Sequence, residues 1–207
     1  MAKTPKQKSA LPMIMAVLTA VVLSIGLLFY LSSMKGKDDA APLIGGPFEL
    51  TDFNGRPFTE QNLKGKYSLI YFGYTYCPDV CPTELQTMTQ ALEMLGPLAK
   101  KIQPVMISVD PARDTPQVLK DYLSNFYPTF IGLTGTPEQI KKAGDAYRVF
   151  YRKTDQKSTS DYLMDHSSIV YLMDRNGHYL KHFAYGTTPE KLAEGIRKAI
   201  EKDEGRS

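Results

Sequence analysis

Between Tyr67 and Ile200 the spacing of apolar residues switches repeatedly between strand-like runs and a helical repeat, which restricts the chain to folds where strands and helices alternate along a sheet. Tyr67–Phe72 is a short apolar, aromatic run of the kind a buried strand shows. After Pro82, Leu85, Met88, Leu92 and Leu95 recur at helical spacing until Gly96-Pro97 stops the pattern. Pro104–Val109 and Phe130–Leu133 read as further strands. Thr115-Pro116 and Thr136-Pro137 open two helices, with Val118, Leu119, Tyr122, Leu123 and Phe126 on one face of the first and Ile140, Ala143 and Tyr147 on one face of the second. Ser168–Met173 and Tyr179–Tyr185 flank Asp174-Arg175-Asn176-Gly177 as a hairpin, and Thr188-Pro189 starts a last helix carrying Leu192, Ile196 and Ile200.

The resulting order is strand, cysteine loop, helix, strand, helix, strand, helix, hairpin, helix. It resembles a thioredoxin-like α/β fold with insertions, preceded by an N-terminal extension over Gly45–Leu63. Lys153–Asp165 is polar and unpatterned, and is read as a long loop delivering the chain to the strand near His166.

Leu11–Leu31 carries no charge and matches the roughly 20 residues a helix needs to cross a hydrocarbon core. The expected organisation is therefore a cytoplasmic N-terminus (1–10), a transmembrane helix (11–31), a polar tether (32–44) and one folded domain (45–207). The small pair Ala40-Ala41 leaves a cleaved signal as the alternative. Lys3, Lys6 and Lys8 precede the span without acids, whereas Lys35 and Lys37 are offset by Asp38 and Asp39, which directs the N-terminus to the cytoplasm. With no Arg- and Ser-rich transit leader, the expectation is a bacterial inner membrane with the domain in the periplasm. The net charge of +3 is small and its basic residues are scattered, so a nucleic-acid partner is not expected.

The two cysteines, Cys77 and Cys81, lie between a strand and a helix start. A helix N-terminus stabilises thiolate through its dipole and unpaired N–H groups, so both sulfurs are placed for metal binding or disulfide exchange. Their spacing departs from the C-x-x-C of thioredoxin-like oxidoreductases, and residues four apart share a helix face, so both sulfurs can address one ion. A disulfide remains open. Two thiolates favour Cu(I) or Zn(II), and an imidazole would complete a three-coordinate copper site. Of the three histidines, His166 precedes an apolar strand, whereas His178 and His182 are read as solvated positions on one face of the hairpin. Asp79 is a candidate helix cap that influences thiol ionisation, and Asp165 a candidate partner orienting His166. Asp110, Arg113 and Asp114 are read as a salt-bridged turn without a catalytic role.

Tyr71–Thr83 (YFGYTYCPDVCPT) resembles the signature of the Sco/SenC family, and Gly45-Gly46-Pro47-Phe48, Ser108–Thr115 and Asp165-His166 resemble that family's other landmarks in the same order. Thr83 and Met164 depart from its pattern, at positions that are not ligands. The resemblance implies copper bound, as Cu(I) or Cu(II), by Cys77, Cys81 and His166. It implies a copper chaperone that takes the ion from a periplasmic donor and serves the dinuclear copper centre of cytochrome c oxidase subunit II. Thiol–disulfide exchange on that subunit's cysteines, with Cys77 and Cys81 as the reacting groups, and redox sensing stay open as alternatives, so enzymatic turnover is left undecided.

Overall fold

Tyr67–Gly73 is buried along its whole length, so its strand must be covered on both faces and belongs at the centre of a sheet. The computed structural model describes residues 15, 23–27, 44–154 and 162–205. Its strands are β1 (Glu49–Asp52), β2 (Pro57–Thr59), β3 (Tyr67–Gly73), β4 (Ile102–Ser108), β5 (Ile131–Thr134), β6 (Tyr151–Thr154), β7 (Leu163–His166), β8 (Ile169–Met173) and β9 (Tyr179–Ala184). Its helices are α1 (Val80–Leu95), α2 (Pro116–Leu123), α3 (Pro137–Tyr147) and α4 (Pro189–Glu204). The apolar stretch 11–31 falls, apart from Met15 and the helical residues 23–27, outside the described residues, as does most of the tether. Among the described residues no helix is long and apolar enough to cross a membrane.

Seven strands form one sheet in the order β2-β1-β5-β4-β3-β8-β9. β3, β4 and β5 are parallel, as helical crossovers require, while β8 and β9 extend the β3 edge antiparallel. The N-terminal extension supplies β1 and β2, with β1 antiparallel to β5. This mixed sheet with its helices bears out the expected thioredoxin-like core.

The helices follow their apolar stripes. In α1, Cys81, Leu85, Met88, Leu92 and Leu95 are buried, one turn above another, and α1 packs against α4. Thr136 caps α3 in a reciprocal box with Gln139, and Ile140, Ala143 and Tyr147 are buried. α2 stops at Leu123, leaving Phe126 beyond the helix. It approaches β5 at Gly132, where a Cβ would lie 2.8 Å from Leu123 Cδ1.

The segment read as a loop over Lys153–Asp165 begins and ends in strand: β6 pairs antiparallel with β7 in a separate two-stranded ribbon, with residues 155–161 outside the described set. Both strands are half-exposed, so neither has the apolar alternation that marks a strand in sequence. The turn before β9 is organised by Asp174, whose Oδ1 accepts from the N–H groups of Asn176 and His178, both at 2.8 Å. His178 therefore sits in the turn and only His182 in the strand, both exposed.

Within α1, Glu84 is buried with one carboxylate oxygen unpartnered. Desolvation raises its pKa from the ordinary 4.5 to about 7. The folded state thus prefers the neutral acid, so the stability linked to this group is complete below about pH 4.5 and declines as pH rises toward about 7. Glu84→Gln is expected to remove that decline, so that urea unfolding of the metal-free protein at a series of pH values gives a flatter profile for the variant between pH 4.5 and pH 7.

Candidate metal centre

β3 ends at Gly73 and α1 begins after Asp79, so residues 74–79 form a short loop between a buried strand and a helix N-terminus. Cys77 lies in this loop, half-buried, and Cys81 lies in the first turn of α1, fully buried. Both are free thiols. The N–H of Cys81 donates to Cys77 Sγ at 3.3 Å. From the far side of the sequence, His166 at the end of β7 places Nε2 3.3 Å from Cys81 Sγ. One donor atom from each of the three residues lies within 4.8 Å of the other two.

That spread is close to what one ion demands. Two sulfurs sharing a metal are separated by at most about 4.6 Å, twice a metal–sulfur distance of about 2.3 Å. In a three-coordinate site the sulfurs stand about 4 Å apart, so closure by less than about 1 Å suffices, and two soft sulfurs with one imidazole suit a soft or borderline cation. The residues present therefore fit a metal ion.

The two sulfurs are electrostatically unequal. The Cys77 pKa is driven far down, first by hydrogen bonding from the Cys81 thiol, then by His166 and by the N–H groups of Cys81 and Asp79, against an opposing burial effect. The Cys81 pKa is driven up, first by that same bond to Cys77 and then by burial. The environment thus favours thiolate at Cys77 and thiol at Cys81.

Aromatic rings wall the site. Tyr71 and Tyr74 meet the His166 ring edge-on, with centroids at 6.0 Å and 5.8 Å. Gly73 makes room beside them: a Cβ there would lie 3.1 Å from Cys81 Sγ and 2.6 Å from Tyr71 Cε1. Cys77 and His166 open onto a cleft of about 560 Å³, with Pro78, Val80, Leu163 and Met164 on its walls.

The remaining sequence candidates stand elsewhere. Asp79 occupies the N-cap position of α1 without a side-chain capping bond, and its carboxylate is exposed; its backbone N–H, not its acid, acts on Cys77. Asp165 pairs across the ribbon with Arg152 at 3.0 Å, while His166 Nδ1 lies 3.3 Å from the Ser167 carbonyl. The physical reason is alternation: adjacent strand residues point to opposite faces, so Asp165 cannot follow His166 into the site. Asp110 and Arg113 do form an ion pair, but Asp114 turns inward, accepting from Thr75 Oγ1 at 2.6 Å and Ser108 Oγ at 2.5 Å. The sequence signals Tyr71, Gly73 and Tyr74, which wall the site, only as aromatic and glycine residues directly before the first thiol.

Fold and site together define a thioredoxin-like domain with a two-thiol, one-imidazole cluster at the start of its first crossover helix. A family model described as SCO1/SenC matches residues 36–201, and the chain belongs to that family. It is similar to the mitochondrial protein SCO2 of Saccharomyces cerevisiae, 48% identical over 167 residues, covering 78% of this chain and 56% of the yeast protein. It is also similar to an SCO2-like protein of Rickettsia felis, 50% identical over 155 residues, 74% of this chain and 76% of that one. The chain thus spans little more than half of its yeast relative. Among solved structures it resembles Arabidopsis thaliana ScoI with copper bound, 43% identical with a TM-score of 0.73, over 77% of this chain and 99% of that one. Bradyrhizobium japonicum ScoI with copper bound is 48% identical, with a TM-score of 0.69, over 75% and 99%.

The thiol asymmetry is open to direct measurement. Iodoacetamide is expected to label Cys77 at a rate that stays flat from pH 8 down to pH 5, with Cys81 protected until the protein unfolds. In Cys81→Ala, where the donated proton is gone, the inflection for Cys77 moves upward; mass spectrometry of the labelled peptides reads both.

Proposed function

We propose that this chain is a membrane-tethered copper chaperone, holding copper through Cys77, Cys81 and His166 and passing it to the dinuclear copper centre of cytochrome c oxidase subunit II. The observation that carries this reading is the 3.3 Å approach of His166 Nε2 to Cys81 Sγ, across 85 residues of sequence, at a pair of free thiols. Copper in the related Arabidopsis and Bradyrhizobium structures supports it. The uncharged run Leu11–Leu31 and its basic flank support an inner-membrane anchor, with the domain in the periplasm and a periplasmic protein as copper donor.

The cargo ion displaces the proton on Cys81, completing a site with two thiolates and one neutral imidazole. His166 and Cys77 face the cleft, so an acceptor's thiol or imidazole approaches through them and exchanges ligands one at a time. Apart from the Cys81 proton, released to solvent as the ion binds, no covalent bond of the protein is broken, and no catalytic turnover is needed.

A second reading has its own support in the half-exposed, low-pKa thiolate of Cys77. In thiol exchange Cys77 attacks a partner disulfide and expels one partner thiolate. Cys81 then attacks the mixed disulfide, releasing the second partner thiol and leaving a Cys77–Cys81 disulfide. The same pair, cycling between dithiol and disulfide, would serve a redox sensor.

Cys77→Ser, Cys81→Ser and His166→Ala, each in the full chain in detergent, are expected to weaken copper binding and to lower oxidase activity when they replace the parent gene. Competition titration with Cu(I) and Cu(II) reads the first effect and oxygen uptake the second. Copper binding unchanged in all three variants would sink the chaperone reading, and full cellular function of His166→Ala alone would hand the site to thiol exchange.

A further inference from the structure

His166 reaches the cysteines on a ribbon that is not hydrogen-bonded into the main sheet. Among the described residues β6 and β7 pair only with each other, and a two-stranded hairpin by itself is marginally stable in water. Something outside the ribbon must fix its strand against the cysteine loop.

We infer that Asp110, Arg113 and Tyr162 form a latch that positions His166 over Cys77 and Cys81. Tyr162 stands immediately before β7, four residues ahead of His166. Its hydroxyl donates to Asp110 Oδ1 at 2.6 Å, and its backbone carbonyl accepts from Arg113 Nη1 at 3.0 Å. Its ring lies 3.7 Å from the Arg113 guanidinium carbon, with Lys153 Nζ 3.6 Å from the same ring's centroid. Arg113 Nε donates to Asp110, which makes the three side chains one closed unit.

The unit is anchored to the cysteine side as well. The Arg113 guanidinium carbon is 4.6 Å from the Tyr76 ring centroid and 5.7 Å from that of Tyr74, the two tyrosines preceding Cys77. Asp114, next in sequence, accepts from the N–H and hydroxyl of Thr75. Tyr74 closes the bracket by accepting the Met164 N–H at 3.2 Å. Residues 110–114 thus hold the thiol loop with one acid and the imidazole ribbon with the other. Asp110 is 3% exposed and Asp114 fully buried, so these bonds form where water competes least.

Arg113, Asp110 and Tyr162 do not touch the donor atoms. They are positioning residues, and their effect on metal affinity must pass through His166. This inference rests on the copper reading, but the latch itself is a property of the metal-free chain.

The test uses the full chain in detergent with Tyr162→Phe, which removes only the hydroxyl, and Arg113→Gln. Copper affinity is read by competition with a chelator, and amide hydrogen exchange of residues 163–166 is read without metal. Tyr162→Phe is expected to weaken copper binding about tenfold, the lower range for groups that orient a ligand, and to speed exchange in β7 but not in β3. In a His166→Ala background the same change is expected to add nothing, the mark of an effect routed through that histidine. Arg152→Gln, which breaks the exposed ion pair on the same ribbon, is the control with parental affinity. Parental affinity in Tyr162→Phe, or an equal loss in the His166→Ala background, would overturn the inference. Should the parent chain bind no copper, the copper reading falls, and the exchange measurement alone decides the latch: unchanged protection of 163–166 in Tyr162→Phe refutes it. Arg113→Gln with parental exchange in β7 counts against it in the same way.

Discussion

The contact between Cys81 Sγ and His166 Nε2 joins two parts of the chain that are built by different means. The sulfur is fixed by the central sheet: β3 is buried, Gly73 lets its end approach the thiol, and α1 starts where the packing of Leu85, Met88 and Leu92 dictates. The imidazole is fixed by a ribbon whose own backbone bonds do not reach that sheet. A half fixed by the sheet and a separately held half meet where the donor atoms of Cys77, Cys81 and His166 could hold a metal ion. Packing supplies the stability of the first half, and side-chain hydrogen bonds supply the placement of the second.

The same contact explains why the two thiols are unequal. Cys81 faces the core, where a bare charge would be costly, and its pKa is driven up, first by its interaction with Cys77 and then by burial. Cys77 collects that interaction together with two backbone N–H groups at the start of α1, and so carries the charge. The metal-free site is therefore poised: a cation entering it finds one thiolate formed and must displace a single proton for the second. Tyr71, raised in pKa by burial first and by the neighbouring sulfurs next, stays neutral beside them.

What the sequence disclosed was what local chemistry can encode. The order of strands and helices, the apolar stripes of α1, α3 and α4, and the position of both cysteines at a helix start depend on neighbours within a few residues, and each stands where periodicity and capping placed it. His166 was different. Its place before an apolar strand sets it apart from His178 and His182 on the hairpin, but its partner lies 85 residues away, and its selection as a ligand leans on the family pattern. Adjacency in sequence does not carry contact: Asp165, beside His166 in a strand, pairs with Arg152 on the other face, and Asp79, at the N-cap position of α1, has an exposed carboxylate. The ribbon is not legible in the sequence because its strands are half-exposed and carry no apolar alternation, and Glu84 is not because a buried acid inside an otherwise apolar stripe looks, in sequence, like an exposed one.

Accessibility orders the chemistry that the site can perform. Cys77 and His166 line the cleft, and Cys81 lies behind them in the core. Under copper delivery, an acceptor meets the exposed sulfur and the imidazole first, and the buried sulfur is the last protein ligand to let go. Under thiol exchange, the exposed thiolate attacks and the buried thiol, protected from outside disulfides, resolves. One arrangement of depth serves both, and the ligand that separates them is the one the ribbon carries. If His166 is held over the sulfurs by side-chain bonds and not by the sheet, a surface that disturbed those bonds would weaken a metal site built on all three residues while leaving the dithiol intact.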